Sequence, residues 1–236
     1  AVSEEGKALE EGVAKETFAK AYYVDAYKAY QDAEKLPDAD PKKKDAWRKA
    51  AALYKVALEK EPARNEAPEA AMLGANAFKQ VGEYDQAIAL YELFIKEYGN
   101  DEKLAPLEKG DAKAQEEYGK RLKNLKVASD ELSKAHVLFF NYRSAAEQYD
   151  VISKNKRFTE ADRRDAARKS VILWANIGDD SKLLAARQVL YDNKPSVEQK
   201  MEIDYLVAES ELKRWDEGGA DEGANRQARL KAAGAM

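Results

Sequence analysis

The chain has 236 residues, 44% hydrophobic and 36% charged, with 40 Lys and Arg against 44 Asp and Glu for a net charge of −4. Lysine and glutamate are interleaved, as in VALEKEP and AQEEYGKRLK, which describes solvated helix faces rather than the clustered basic surface of a nucleic-acid binder. No cysteine occurs, which excludes a disulfide framework, a thiol nucleophile and any cysteine-based zinc or iron–sulfur site.

A long helix is predicted over 7–35, where Phe18, Tyr22, Ala26 and Tyr30 recur at steps of four and define one apolar stripe. It ends at LPDADPKKKD, because Pro37 and Pro41 forbid continuation while Asp38 and Asp40 favour turns. A helix over 44–60 stops at Pro62. The next, over 68–81, opens on a tolerated early Pro, and Gly82 turns the chain into a helix over 84–98. GNDEKLAPLEKGD, residues 99–111, reads as an insertion, with a loop over 102–111. Further helices are predicted over 112–140, 143–155, 160–177, 182–192 and 197–215, broken at GDDS and before Pro195. Residues 216–236 read as a Gly-rich linker and one short helix. The array would then end at Trp215 without the polar cap a solenoid needs, so the natural protein is expected to continue beyond Met236. No segment alternates like a strand, and none approaches the roughly twenty apolar residues of a membrane span.

One pattern recurs. Ala50, Tyr54, Ala57 and Pro62 stand at intervals of four, three and five, and Ala87, Tyr91, Phe94 and Gly99 repeat those intervals thirty-seven positions later. Ala145, Tyr149 and Ile152 give a third instance, with Arg157 in the place of the terminator. Helices that bury the same face and stop at the same point indicate stacked helix pairs. Chemistry is sparse by contrast. His136 is the only histidine, and Ser133 lies one turn before it without an oxyanion-hole or nucleophile-elbow sequence. No HExxH, paired Glu-x-x-His, calcium loop or Gly-rich phosphate loop is present. No catalytic residue, metal ligand or cofactor is expected.

The recurring pattern resembles the tetratricopeptide repeat, a helix-turn-helix unit. Ala75, Phe78, Gly82, Tyr84, Ala87 and Tyr91 follow that family's order, as do Trp47, Ala50, Tyr54, Ala57 and Pro62 for the second half of an earlier unit. Tyr142, Ala145 and Tyr149 match in a later one, where Ser133 and His136 hold the small and aromatic places. LGANAFKQVGEYDQAIALY also aligns with LWANIGDDSKLLAARQVLY at an offset of 100, pairing Ala75 with Ala175 and Tyr91 with Tyr191. That register sets Arg187 opposite Ala87; Ala185 or Ala186 would serve if the turn has slipped. The resemblance implies an all-α, right-handed superhelix, or solenoid, of antiparallel helix pairs. Its parts would be N-terminal pairs over 1–101, the insertion loop 102–111, further pairs over 112–215 and the tail 216–236.

It also implies function. In that family the first helix of each pair lines a concave groove that holds partner segments. The corresponding places here are Glu69, Met72, Asn76, Lys79 and Gln80, then Asp130, Lys134 and Leu138, with Asn176 as the later counterpart of Asn76. Met72 stands where the family's carboxylate clamp wants a lysine, so the expected partner is an extended or helical protein segment rather than a strongly acidic tail. The long, tyrosine-rich units resemble tetratricopeptide proteins of Gram-negative envelopes. FNYRSAAEQYDVISKN with DAARKSVILWANIGD is similar to repeat proteins of myxobacterial gliding complexes. A non-enzymatic scaffold of a multiprotein complex in the periplasm or cell envelope is therefore expected. The alternatives are a cytoplasmic location, and a peptide or cell-wall-fragment sensor or chaperone-like module that uses the same groove.

Overall fold

The computed structural model describes residues 4–217, with side chains for 16, 17 and 19–213. Among them are ten helices and no strand: α1 (Glu4–Lys35), α2 (Lys43–Lys60), α3 (Ala67–Val81), α4 (Tyr84–Glu97), α5 (Asp101–Glu108), α6 (Ala112–Leu138), α7 (Tyr142–Lys154), α8 (Glu160–Ile177), α9 (Asp180–Asp192) and α10 (Val197–Glu217). The linker and helix expected after residue 217, and the surroundings of Phe18 and Trp215, lie outside what is described. The chain divides into two compact units between Ala128 and Ser129, within α6.

One expected loop is a helix. Residues 101–108 form α5 because the Asn100 side chain accepts from the Lys103 amide at 3.0 Å and Asp101 and Glu102 occupy the positive end of the first turn. Leu104, fully buried, anchors it.

In the first unit α1, α2, α3 and α4 pack in sequence, and α1 also reaches α3. The stripe that α1 buries is Ala19, Tyr23, Ala26, Tyr30 and Ala33, whereas Tyr22 is 40% exposed. Alternating steps of four and three stay on one face of a helix, while repeated steps of four drift by about 40° each. The tyrosine ring of residue 30 meets Trp47 edge-on with centroids 4.8 Å apart and lies 6.1 Å from the Tyr54 ring. Beneath α3, a Cβ at position 74 would stand 3.0 Å from the Tyr54 Cβ and 2.9 Å from Leu90 Cδ1. Only glycine lets α3 settle this closely on α2 and α4.

The same turn closes three helix pairs. After α3 the amides of Gly82 and Glu83 donate to the carbonyls of Lys79 and Phe78 at 3.1 and 3.0 Å. After α6, Phe140 and Asn141 donate to Val137 and His136 at 3.1 and 2.8 Å; after α8, Gly178 and Asp179 donate to Ala175 and Trp174 at 3.2 and 3.2 Å. Each is a Schellman motif with a left-handed residue, at φ of 81°, 59° and 77° respectively. These turns set the true register of α8 and α9. Gly178 follows Gly82 by 96 positions, not 100, so Trp174 takes the place of Phe78, Ala186 that of Leu90 and Leu190 that of Phe94, all buried. Arg187 leaves the core altogether and pairs with Asp204 on α10 at 2.5 Å.

The core of the second unit joins Ala146 on α7, Val171 and Trp174 on α8, Leu183 and Leu190 on α9, and Ile203 and Val207 on α10. Asp150 fastens α7 to α8 by accepting from Ser170 Oγ at 2.5 Å and Trp174 Nε1 at 3.1 Å.

Phe140 holds a left-handed backbone that costs a residue with a Cβ about 1–2 kcal/mol, and its side chain is 77% exposed. Phe140→Gly is therefore expected to raise stability by about 1 kcal/mol in urea or thermal unfolding. An unchanged or lower midpoint would mean that the ring, 6.0 Å from Tyr142, contributes more than the strain removes.

Candidate partner-binding groove

A groove of about 360 Å³ lies between α1 and α3 in the first unit, with Tyr54 of α2 among its lining residues. One wall is Lys20, Tyr23, Val24 and Tyr27, and the other is Glu66, Glu69, Ala70 and Leu73. Each residue of the second wall follows one of the first by forty-six positions, so the two helices run side by side in fixed register. The same offset joins Tyr30 to Asn76, whose Nδ2 donates to the Tyr30 hydroxyl at 2.6 Å. It also joins Lys35 to Val81, where both helices end. Residues spaced three and four apart share a helix face, which is why each wall is one stripe.

Buried phenols in this region are mostly spoken for. Tyr23 donates to the Glu61 carbonyl at 2.6 Å and thereby satisfies a group orphaned at the end of α2. Tyr98 donates to the Pro62 carbonyl at 2.9 Å. Tyr54 differs: the residue is 2% exposed and its hydroxyl has no hydrogen-bond partner among the described residues. Burial, then the neighbouring Tyr30, Glu69 and Tyr27, raises its pKa well above the usual phenol range, which sets the hydroxyl among groups that flank the groove. The rim is open, with Val24 53% and Tyr27 50% exposed.

The carboxylates of the wall are unequal. Glu66 is held below the usual range by Arg64, which donates to it at 3.2 and 3.4 Å, although burial opposes the shift, and Lys20 adds to the lowering. Glu69 is exposed and has no ion pair among the described residues. A second cavity in this unit, about 600 Å³, is lined by Arg64, Lys103 and Arg121 among others. Its arginines are already engaged, Arg121 with Glu117 at 2.7 Å.

The expected groove residues fare differently. Glu69 lines the groove; Asn76, bonded to Tyr30 one turn further along, and Met72 and Lys79, both half-buried on α3, are not among its lining residues. In the second unit, Asp130 and Lys134 pair with each other at 2.7 Å, and Asp130 also lies 3.8 Å from Lys169. Hydrogen bonds that Lys134 donates to Asp130 and then Glu131 hold its pKa high. Asn176 is exposed; in the corrected register it stands four positions past the place equivalent to Asn76, because the turn comes earlier. The tyrosines of α1 were absent from the expected set. Their signal was the four-three spacing from Ala19 to Ala33. Ser133 is buried and donates to the Ser129 carbonyl at 2.8 Å rather than to His136. Among the described residues, no cluster of three His, Asp or Glu side chains could hold a metal ion, and no helix is long and apolar enough to cross a membrane.

The chain is similar to the crystal structure of BtubC (BKLC) from P. vanneervenii, with 13% identity and a TM-score of 0.36 over 92% of this chain and 90% of that one. No protein-family model matches the chain, and neither does any curated protein.

Burial first, then Tyr98, Glu66 and Glu61, pushes the Tyr23 phenol up to about 12. A phenol raised by folding contributes stability that is fully present below its unfolded pKa of about 10 and lost as pH rises through the folded value. Stability is thus expected to hold level up to pH about 10 and to fall between there and about 12, more steeply than in Tyr23→Phe. Denaturant melts across that range measure it; identical alkaline limbs for the two proteins would contradict the assignment.

Proposed function

We propose that the chain is a non-enzymatic scaffold of tetratricopeptide-like helix pairs, arranged as a right-handed superhelix, that takes a protein segment into the groove between α1 and α3. The observation that carries this reading is the groove itself: two helix stripes in constant register, lined by three tyrosines, with an unpartnered hydroxyl in its lining. Tyrosine supplies large contact area at low conformational cost and is enriched at interfaces. Helices already packed on α2 lose little freedom when a segment docks, so more of the contact energy remains as affinity. The repeated Schellman turn supports the repeat-array reading. We further propose the bacterial envelope as its compartment and assembly of a multiprotein complex as its role, on the resemblance of its tyrosine-rich units to envelope repeat proteins.

Crosslinking in the cells that make the protein, with mass-spectrometric site assignment, tests this. Crosslinks from Lys20, at the groove rim, to one stable set of envelope proteins are expected, and Tyr27→Ala should remove them. Crosslinks to diverse cytosolic proteins, or a pattern indifferent to Tyr27→Ala, would contradict the scaffold and its groove.

A further inference from the structure

Resting on the groove as the binding site, we infer that it selects a partner segment through a basic side chain, arginine or lysine. The side chain would lie against Tyr23 and Tyr27 with its charge at Glu69, while a carbonyl of the same segment accepts from Tyr54. Charge decides the sign. Of the two wall carboxylates, Glu66 is answered by Arg64 at 3.2 Å and faced by Lys20 in register across the groove. Glu69, one turn further along, has no cation paired to it among the described residues. Lys120, whose charge feels Glu69, is itself bound to Glu116 at 2.7 Å. At the level of Tyr23, Tyr27 and Tyr54 the Glu69 carboxylate therefore stands beside three phenol rings, one turn from the Lys20 ammonium at the level of Glu66. Ring faces attract cations as well, so two independent features favour the same ligand group.

Other occupants fit less well. An acidic side chain would meet Glu69 and the negative ring faces. A wholly apolar one would strip water from Glu69 without replacing it, and a carboxylate desolvated without a partner is strongly disfavoured. The Tyr54 hydroxyl adds a further requirement. It is a donor with no acceptor among the described residues, close to both Tyr27 and Glu69, so an acceptor entering between those residues completes it. A peptide residue with a cationic side chain and its own carbonyl supplies both groups at once.

The probes are four pools of fluorescent, end-blocked seven-residue peptides with randomised flanks and a fixed central Arg, Lys, citrulline or Glu, titrated by anisotropy against the full chain. Citrulline keeps the shape of arginine without its charge. The Arg and Lys pools should bind at least tenfold more tightly than the citrulline and Glu pools. Glu69→Gln should bring the Arg pool to within twofold of citrulline, and Tyr54→Phe should weaken the Arg pool severalfold. Glu59→Gln, an exposed change on α2, should have no effect. Because Glu69 and Tyr27 are exposed, their variants should melt like the parent, checked by circular dichroism.

Equal binding of the citrulline and Arg pools, both abolished by Tyr27→Ala, would overturn the basic-residue selection and leave the groove standing. Equal weakening by Glu59→Gln and Glu69→Gln would reduce the preference to general charge attraction and overturn it too. Absence of binding by every pool, or binding untouched by Tyr27→Ala, would remove the groove and the selection together.

Discussion

Two helices that are not neighbours in sequence, α1 and α3, meet through a hydrogen bond of 2.6 Å between Asn76 and Tyr30, and the groove is the space that this contact leaves open beyond it. The bond joins a half-buried amide to a phenol raised above its usual pKa by burial, so breaking it would strand polar groups away from water. Tyr30 is itself fixed by its edge-on contact with Trp47 on α2. Gly74 brings α3 down onto Tyr54. The walls and the Tyr54 side chain between them thus follow from a few contacts around one aromatic cluster.

The second unit uses the same turn geometry for another end. Its Schellman turns at Phe140 and Gly178 repeat the one at Gly82, but the places equivalent to Met72 and Asn76 carry Asp130 and Lys134, which bind each other. Lys169 stands 5.3 Å from the centre of the Tyr149 ring and completes that cluster. Polar groups that satisfy one another within a unit offer less to a partner than groups left over, such as Glu69 and the Tyr54 hydroxyl.

Much of the fold is legible in the sequence because its punctuation is strong. Pro37, Pro41, Pro62, Gly82 and Gly178 stop helices for reasons of backbone geometry alone, and the helix limits lie within a few residues of where those stops put them. The failures have physical causes as well. α5 hides among Gly, Asn, Asp and Pro because one cap and one buried leucine suffice to hold eight residues. The register of α8 and α9 stays open in the sequence because the aromatic at Tyr191 favours one alignment and Arg187 opposes it, whereas the left-handed glycine fixes it. Phe140 gives no warning, since a phenylalanine in that backbone region is uncommon. Of the groove, Glu69 and Asn76 were within reach of a repeat-family comparison. The α1 wall was not, because Tyr22 and Tyr23 are adjacent and only the four-three spacing says which of them faces inward.

The groove depends on the register of α1 on α3, and a double-mutant cycle on Tyr30 and Asn76 measures it directly. With Tyr30→Phe and Asn76→Ala singly and together, a coupling of about 1 kcal/mol is expected in denaturant unfolding, the double variant costing little more than either single one. Strict additivity, to within about 0.3 kcal/mol, would mean that the two side chains do not meet, and that the walls of the groove are not aligned as described.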